Sequence, residues 1–430
     1  MGFIEKQLQN VPLPKMAVVR QHFPRPVIDD IAAHIDSHFS DSAIRSTICG
    51  KKHIAIAVGS RGIANLPAIV QRIIFNLRQL RASPFIIPAM GSHGGATAEG
   101  QKKILASIGI TEQDMDAPIR SSMETLHIGT TGSGLPVYLD KHAGSADGII
   151  VINKIKPHVG FRGDYECGLI KMIAVGAGKQ KGAEACHAAG FGQMANNIRD
   201  AAEVVIARKN ILLGVGILEN AYNEICQLAV LPPDDILRKE PELLKEARRL
   251  APGIPFATLD VLIIDEIGKN IAGTGMDTNV VGRYHTPYAW GGPDITKIIV
   301  LDLTAQSHGN ANGIGIADFT TRNVYQKFSF EQTYPNSLTS TVQNSIKIPM
   351  VLENDRQAIA AAIRTCNRKD PENARMLRIK NTKELEYFSA SESLEEEIME
   401  KEGLTITTPF QEISFNENGE ILPAAYLAKA

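Results

Sequence analysis

The sequence predicts an α/β protein of two domains with mainly parallel sheets and an active-site cleft between the domains. Three observations predict it. At 430 residues the chain is longer than one hydrophobic core ordinarily serves. Short β-branched runs alternate with stretches whose apolar residues recur at helical spacing. A polar, proline-containing segment, 231–256, separates two sets of these units.

The pattern starts at 54–59, IAIAVG, a β-branched run closed by glycine. It is followed by SRGIANLPAIVQRIIFNLRQLRA (60–82), where Ile, Val and Leu keep helical spacing. It repeats at PFIIPAMG (84–91), read as a strand, and ATAEGQKKILASIG (96–109), read as a helix that Thr97 can cap. DGIIVIN (147–153) is a third strand. Strands without polar alternation are buried on both faces, as in a parallel sheet covered by helices. Segment 231–256 is expected to be part helix and part linker. Beyond it, ATLDVLIIDEIG (257–268) and ITKIIVLDL (295–303) are again buried strands. The acidic ASESLEEEIMEKEG (390–403) reads as a solvated helix face. The domains are expected at 1–250 and 251–430, with packing of the last segment back onto the first domain left open.

The chain is 44% hydrophobic and 21% charged, as in soluble globular proteins. Its net charge of −2 gives no electrostatic reason to expect nucleic acid or an anionic membrane as partner. Five cysteines, odd in number and scattered, argue against a disulfide framework and for a reducing compartment. The first residues, MGFIEKQLQN, lack the apolar core of a signal peptide, and no apolar run suits a membrane span. A cytoplasmic protein is expected; oligomeric state is not legible.

In parallel sheets, ligands bind where strands end in loops at their carboxyl edges. Three such exits in the first domain, VGSRGIAN, MGSHGGATAEG and INKIKPHVGFRGDYECGLIK, each join glycine to Ser, Arg, His or Lys. His93 stands in a glycine-rich turn, and Pro157 keeps His158 out of a helix interior. Two loop imidazoles can serve as general bases on opposite sides of one carbon, as a racemase needs; they can equally be unrelated turn residues. Lys171, among Leu169, Ile170, Met172 and Ile173, is either a snorkelling surface residue or a desolvated, reactive amine. Lys179 and Lys181 look solvent-facing and able to hold an anion. Cys167 and Cys186 have no zinc-site spacing and read as small buried residues. No G-x-G-x-x-G motif follows these strands, which counts against a nicotinamide dinucleotide.

This constellation resembles the nickel-dependent lactate racemase family: a strand-exit His93, the PH dipeptide ending at His158, Lys171 shortly after, and His187 beyond it. DEIGKNIAGTGMDTNVVGR (265–283) resembles the family's second-domain loop. The resemblance implies a nickel pincer nucleotide (pyridinium-3,5-bisthiocarboxylic acid mononucleotide nickel) bound covalently to Lys171, with His187 as the metal's protein ligand. Because the cofactor itself fills most of the metal's positions, one imidazole suffices, which fits the missing metal motif. The resemblance further implies His93 and His158 as catalytic bases, with Ser60, Arg61 and Gly62 near the cofactor. Arg162, Asp277, Thr278 and Asn279 are implied near substrate. Implied partners are a small 2-hydroxy acid and the proteins that build the cofactor. The implied reaction is racemisation or epimerisation by reversible hydride transfer.

Departures from the family bear on the substrate. VGFRGDYECGLI, between His158 and Lys171, is longer and more polar than in classical racemases. Thr278 stands where those enzymes carry glutamine and Val281 where they carry lysine, with Lys269, Asn270 and Arg283 as candidates to compensate. A substrate larger or more polar than lactate is expected, such as a sugar acid or a hydroxy diacid. Two rivals remain: a cofactor-binding homologue without racemase activity, and a hydrolase or lyase with a divalent metal at His93, His158 and Asp164.

Overall fold

The structure is a computed structural model and describes residues 2–60 and 63–423. The chain forms two compact units, residues 25–251 and residues 1–24 with 252–430. The first strand, β1 (Met16–Gln21), belongs to the second of these.

Unit 25–251 is built on β2 (His53–Val58), β3 (Ser83–Pro88), a hairpin of β4 (Thr125–Thr130) and β5 (Pro136–Asp140), then β6 (Gly148–Lys154), β7 (Ile211–Glu219) and β8 (Ile225–Leu231). Among the described residues the sheet order is β3-β2-β6-β7-β8, parallel from β3 to β7, with β8 antiparallel. Ile54, Ile56 and Val58 of β2 are fully buried, as the unbroken apolar run requires. Each such side chain contributes about 1.5–3 kcal/mol of burial. Helix Leu66–Gln79 covers the sheet with Leu66, Ile69, Val70, Ile73, Ile74 and Leu77, one face at i, i+3, i+4 spacing. Thr97 caps helix Ala98–Ser107 by accepting from the Gly100 N–H, as its position indicated. Segment 231–256 contains helix Pro233–Leu250, and the division between units falls just after it.

The other unit adds β9 (Thr258–Ile264), β10 (Asp294–Val300), β11 (Phe319–Thr321), β12 (Met350–Leu352), β13 (Met376–Ile379), β14 (Tyr387–Ser391) and β15 (Leu404–Ile406). Their order is β12-β11-β10-β9-β13-β14-β1-β15, parallel from β12 to β13 and antiparallel beyond. Residues 1–24 therefore differ in membership from the expected 1–250 domain, because β1 fills an interior slot between β14 and β15. The described end of the chain stays with the same unit: the Ile421 N–H donates to Asp355 and Arg378 donates to the Leu422 carbonyl. The acidic stretch 390–403 is only partly a solvated face. It starts as the end of β14 and buries Leu394 and Ile398 around helix Glu395–Glu400. Among the described residues no helix is long and apolar enough to cross a membrane.

Candidate functional site

The loop leaving β6 is closed on itself by a two-residue bridge, Lys156 with Cys167, each N–H donating to the other's carbonyl at 2.9 and 3.2 Å. Inside it lies one fully buried carboxylate, Glu166. Its oxygens accept from the His158 N–H at 2.6 Å, the Gly163 N–H at 3.2 Å and Arg248 at 2.5 Å. Charge-assisted bonds of this kind are stronger than neutral ones, and here they fix a glycine-rich loop that has little rigidity of its own. Arg162 lies 3.7 Å from Glu166 and donates to the carbonyls of His158 (2.7 Å) and Phe161 (3.3 Å), so its guanidinium braces the loop. The His158 ring packs on Phe161 at 4.3 Å between centroids, and its Nδ1 accepts from the Gly160 N–H at 3.0 Å.

Lys171 ends a short helical turn, Leu169–Lys171, that continues as a π-helical turn, Met172–Gly176. Such π turns interrupt the regular ladder and recur at functional sites. A second buried carboxylate holds the start of this turn: Glu240 accepts from the Ile170 N–H at 3.0 Å, and burial raises its pKa to about 7. Its other oxygen is buried without a hydrogen-bond partner among the described residues. A Cβ at residue 168 would collide with that carboxylate, which explains Gly168. The Lys171 ammonium stands 4.0 Å from Cys167 Sγ and 5.9 Å from the Phe161 ring centroid.

His187 closes helix Lys179–His187 and meets Phe191 edge-on at 5.5 Å. Burial, and then the charge of Lys171, lower its pKa to about 4, and its buried Nδ1 has no hydrogen-bond partner among the described residues. The neighbouring Cys186 thiol is pushed up to about 12 by burial, with Lys171 pulling the other way. Lys171 is thus electrostatically coupled to both residues. Phe191 also lies 6.0 Å from the His158 ring, so His158, Lys171 and His187 surround the pair Phe161 and Phe191.

His93 joins through the backbone. The turn after β3 uses Gly91, Gly94 and Gly95 at positive φ, and the Gly91 N–H donates to Gly176 at the end of the π turn. From the β2 exit, Ser60 Oγ lies 2.5 Å from His93 Nδ1. Three strand exits, those of β2, β3 and β6, are therefore connected. Arg61 and Gly62 lie outside the described residues.

Other expected residues stand elsewhere or differ. Lys179 is fully buried, not solvent-facing: it pairs with Asp140 at 3.2 Å and donates to Gln101 and to the Pro88 carbonyl. Burial lowers its pKa while Asp140 opposes the shift. Lys181 is exposed. Cys186 is buried, whereas Cys167 is only half-buried. Asp277, Thr278 and Asn279 lie in the other unit, where Asp277 caps helix Thr278–Val281 by accepting from Asn279, and Thr278 and Val281 are buried. Arg283 is committed to Asp318 at 2.6 Å and to the carbonyls of Ile295, Thr296 and Ile316. Among the described residues no three His, Cys, Asp or Glu side chains converge as metal ligands, and Asp164 is exposed, so the donor set of the hydrolase reading does not form.

The sequence reading missed Glu166 and Glu240. Helix phase contained a signal for the second: Glu240 falls on the stripe Ile236, Leu243, Leu244, Ala247, where a carboxylate has to be buried. No comparable signal marks Glu166.

Residues 7–198 match the family model of the lactate racemase N-terminal domain. No curated protein matches the chain. Among solved structures, the lactate racemase apoprotein of Thermoanaerobacterium thermosaccharolyticum is similar in fold, with a TM-score of 0.51 at 14% identity over 84% of this chain and 94% of that one. Residues 7–198 are thus similar in sequence to the lactate racemase N-terminal domain, and the two-unit α/β fold is similar to that of the lactate racemase apoprotein over most of the chain's length.

Proposed function

We propose that the protein is a racemase or epimerase of a 2-hydroxy acid that uses a nickel pincer nucleotide held by Lys171 and His187. The observation that carries this reading is the coupling of one amine and one buried, neutral imidazole beside Phe161 and Phe191. Those residues fit the group: an anchoring amine, and an imidazole whose buried Nδ1 has no hydrogen-bond partner among the described residues. When bound, the cofactor supplies a hydride acceptor for the substrate's α-hydrogen. Burial lowers the pKa of His187 to about 4, which favours the neutral form that a metal ligand must take. Phe161 gives the Lys171 amine an apolar neighbour 5.9 Å away. His93 and His158 handle the hydroxyl proton. The polar loop around Arg162 favours a substrate larger or more polar than lactate, a sugar acid or hydroxy diacid. The proteins that assemble the cofactor are the expected partners.

The test is a screen of chiral 2-hydroxy acids, with deuterium at the α-carbon, on protein co-expressed with the cofactor-building enzymes. Interconversion that retains the deuterium supports the reading. Washout of deuterium, or no interconversion of any acid by protein carrying the cofactor, would overturn it.

A further inference from the structure

The larger sheet ends in an open edge. β12 is its last strand on that side, and among the described residues no strand pairs beyond it. The Met350 N–H donates inward to the Asp318 carbonyl at 3.1 Å, so the alternation of the ladder turns the Val351 N–H and carbonyl outward. Edges left to water ordinarily carry charge, yet here Met350 is 53% exposed, with Ile348 and Val351 exposed beside it. Helix Phe330–Ser340 adds exposed Phe330, Tyr334 and Leu338 at i, i+4, i+8 spacing, and it packs against residues 344–346, the turn that leads into β12. Among the described residues, seven of the sixteen exposed large apolar side chains fall within 325–351, a stretch whose only charges are Lys327, Glu331 and Lys347. Interface cores combine apolar enrichment and charge depletion in this way. Large side chains carry about 150–250 Å² each, so the patch opens on the order of 600 Å². A stable interface takes roughly 800 Å² from each partner, which this patch and its rim can supply.

We propose that this edge is a dimer interface, in which β12 pairs antiparallel with β12 of a second copy about a two-fold axis at Met350. The residues along the edge are complementary to themselves in that register. Met350 faces Met350, Ile348 faces Leu352 of the second copy, and Lys347 faces Glu353, opposite in charge. Lys347 is already extended, and Ile348 precedes a proline, which favours extended backbone. Glu353 pairs with Arg322 of its own chain at 2.8 Å, but its side chain stays 58% exposed, so a second cation can reach it. Placing the axis at Val351 instead would set Ile348 against Asn354, and Lys347 against Asp355, whose carboxylate already accepts from Ile421. In the Met350 register the Val351 N–H donates to the Pro349 carbonyl of the second copy. Pro349 has no N–H to return, so the apolar side chains supply most of the affinity. A two-fold pairing uses up both edges and closes at two chains.

The test is sedimentation velocity of the full-length protein across a range of concentrations. The native chain should sediment as a dimer at micromolar concentration. Met350→Lys, which sets two ammonium groups against each other on the axis, should sediment as a monomer at the same concentration with unchanged circular dichroism. Lys347→Glu and Glu353→Lys should each weaken dimerisation roughly tenfold, because each brings like charges face to face. An equimolar mixture of those two variants should associate more tightly than either alone, since the mixed dimer has opposite charges in both pairs. A native chain that stays monomeric would leave the edge to a different partner and overturn the inference. So would a dimer that Met350→Lys leaves intact, or a mixture that associates no better than its components.

Discussion

At the scale of single residues, two buried carboxylates carry more of the site than its histidines reveal. Glu166 holds the His158 loop through two backbone N–H groups and Arg248. Its removal leaves the two N–H groups without their carboxylate acceptor and takes the counter-charge from Arg248 and Arg162. Glu166→Ala is expected to cost roughly 3 kcal/mol of unfolding free energy, read as a lower urea midpoint at unchanged slope. Glu240 works in the opposite electrostatic sense. Its folded pKa of about 7 lies above the usual carboxylate value near 4.5. The folded state therefore binds more protons between those values, and the contribution of Glu240 to stability is full at low pH and lost as pH rises through about 7. Glu240→Gln cannot ionise, so its stability relative to the native chain should improve from pH 4.5 to about 7 and level off above that. A difference that is flat with pH would contradict the burial argument.

At the scale of elements, what is legible depends on whether burial leaves a periodic trace. The unbroken apolar runs of β2, β6 and β9 and the phased helix Leu66–Gln79 could be read directly, because their neighbours demand one kind of side chain at a fixed spacing. The strand exits were legible for a related reason, since glycine beside a polar group marks a turn. Lys179 was not: a lysine between glycine and glutamine looks solvated, and only the distant Asp140, Gln101 and Pro88 make its burial tolerable. β1 was likewise hidden, because its partners lie hundreds of residues away and its sequence says nothing of which sheet accepts it. Helix Ala98–Ser107 shows how closely an element can constrain the site. A Cβ at Gly100 would overlap the Gly94 carbonyl oxygen in the turn that carries His93. Gly100→Ala should cost about 1–3 kcal/mol, as overpacking does, and move the His93 ring resonances while those of His187 stay in place. Unchanged His93 signals would show that the turn is not held by this contact.

At the scale of the whole molecule, the chain folds as two units, and the first 24 residues complete the one that lies mostly at the other end of the sequence. Deleting residues 1–24 removes β1 from between β14 and β15. Hydrogen exchange of the truncated chain should show lost protection across β13 to β15, with protection in β2, β6 and β7 retained. Loss in both units alike would mean that they do not fold separately. The site cluster of Lys171, His187, His158 and His93 lies entirely within unit 25–251. The measurement that bears most directly on what this cluster is for is intact mass with metal content. Protein co-expressed with the cofactor-building enzymes should carry nickel and a covalent mass increase mapped to Lys171, and Lys171→Ala should carry no such increase. An unmodified Lys171 in protein prepared beside a lactate racemase that does acquire the cofactor would contradict the account.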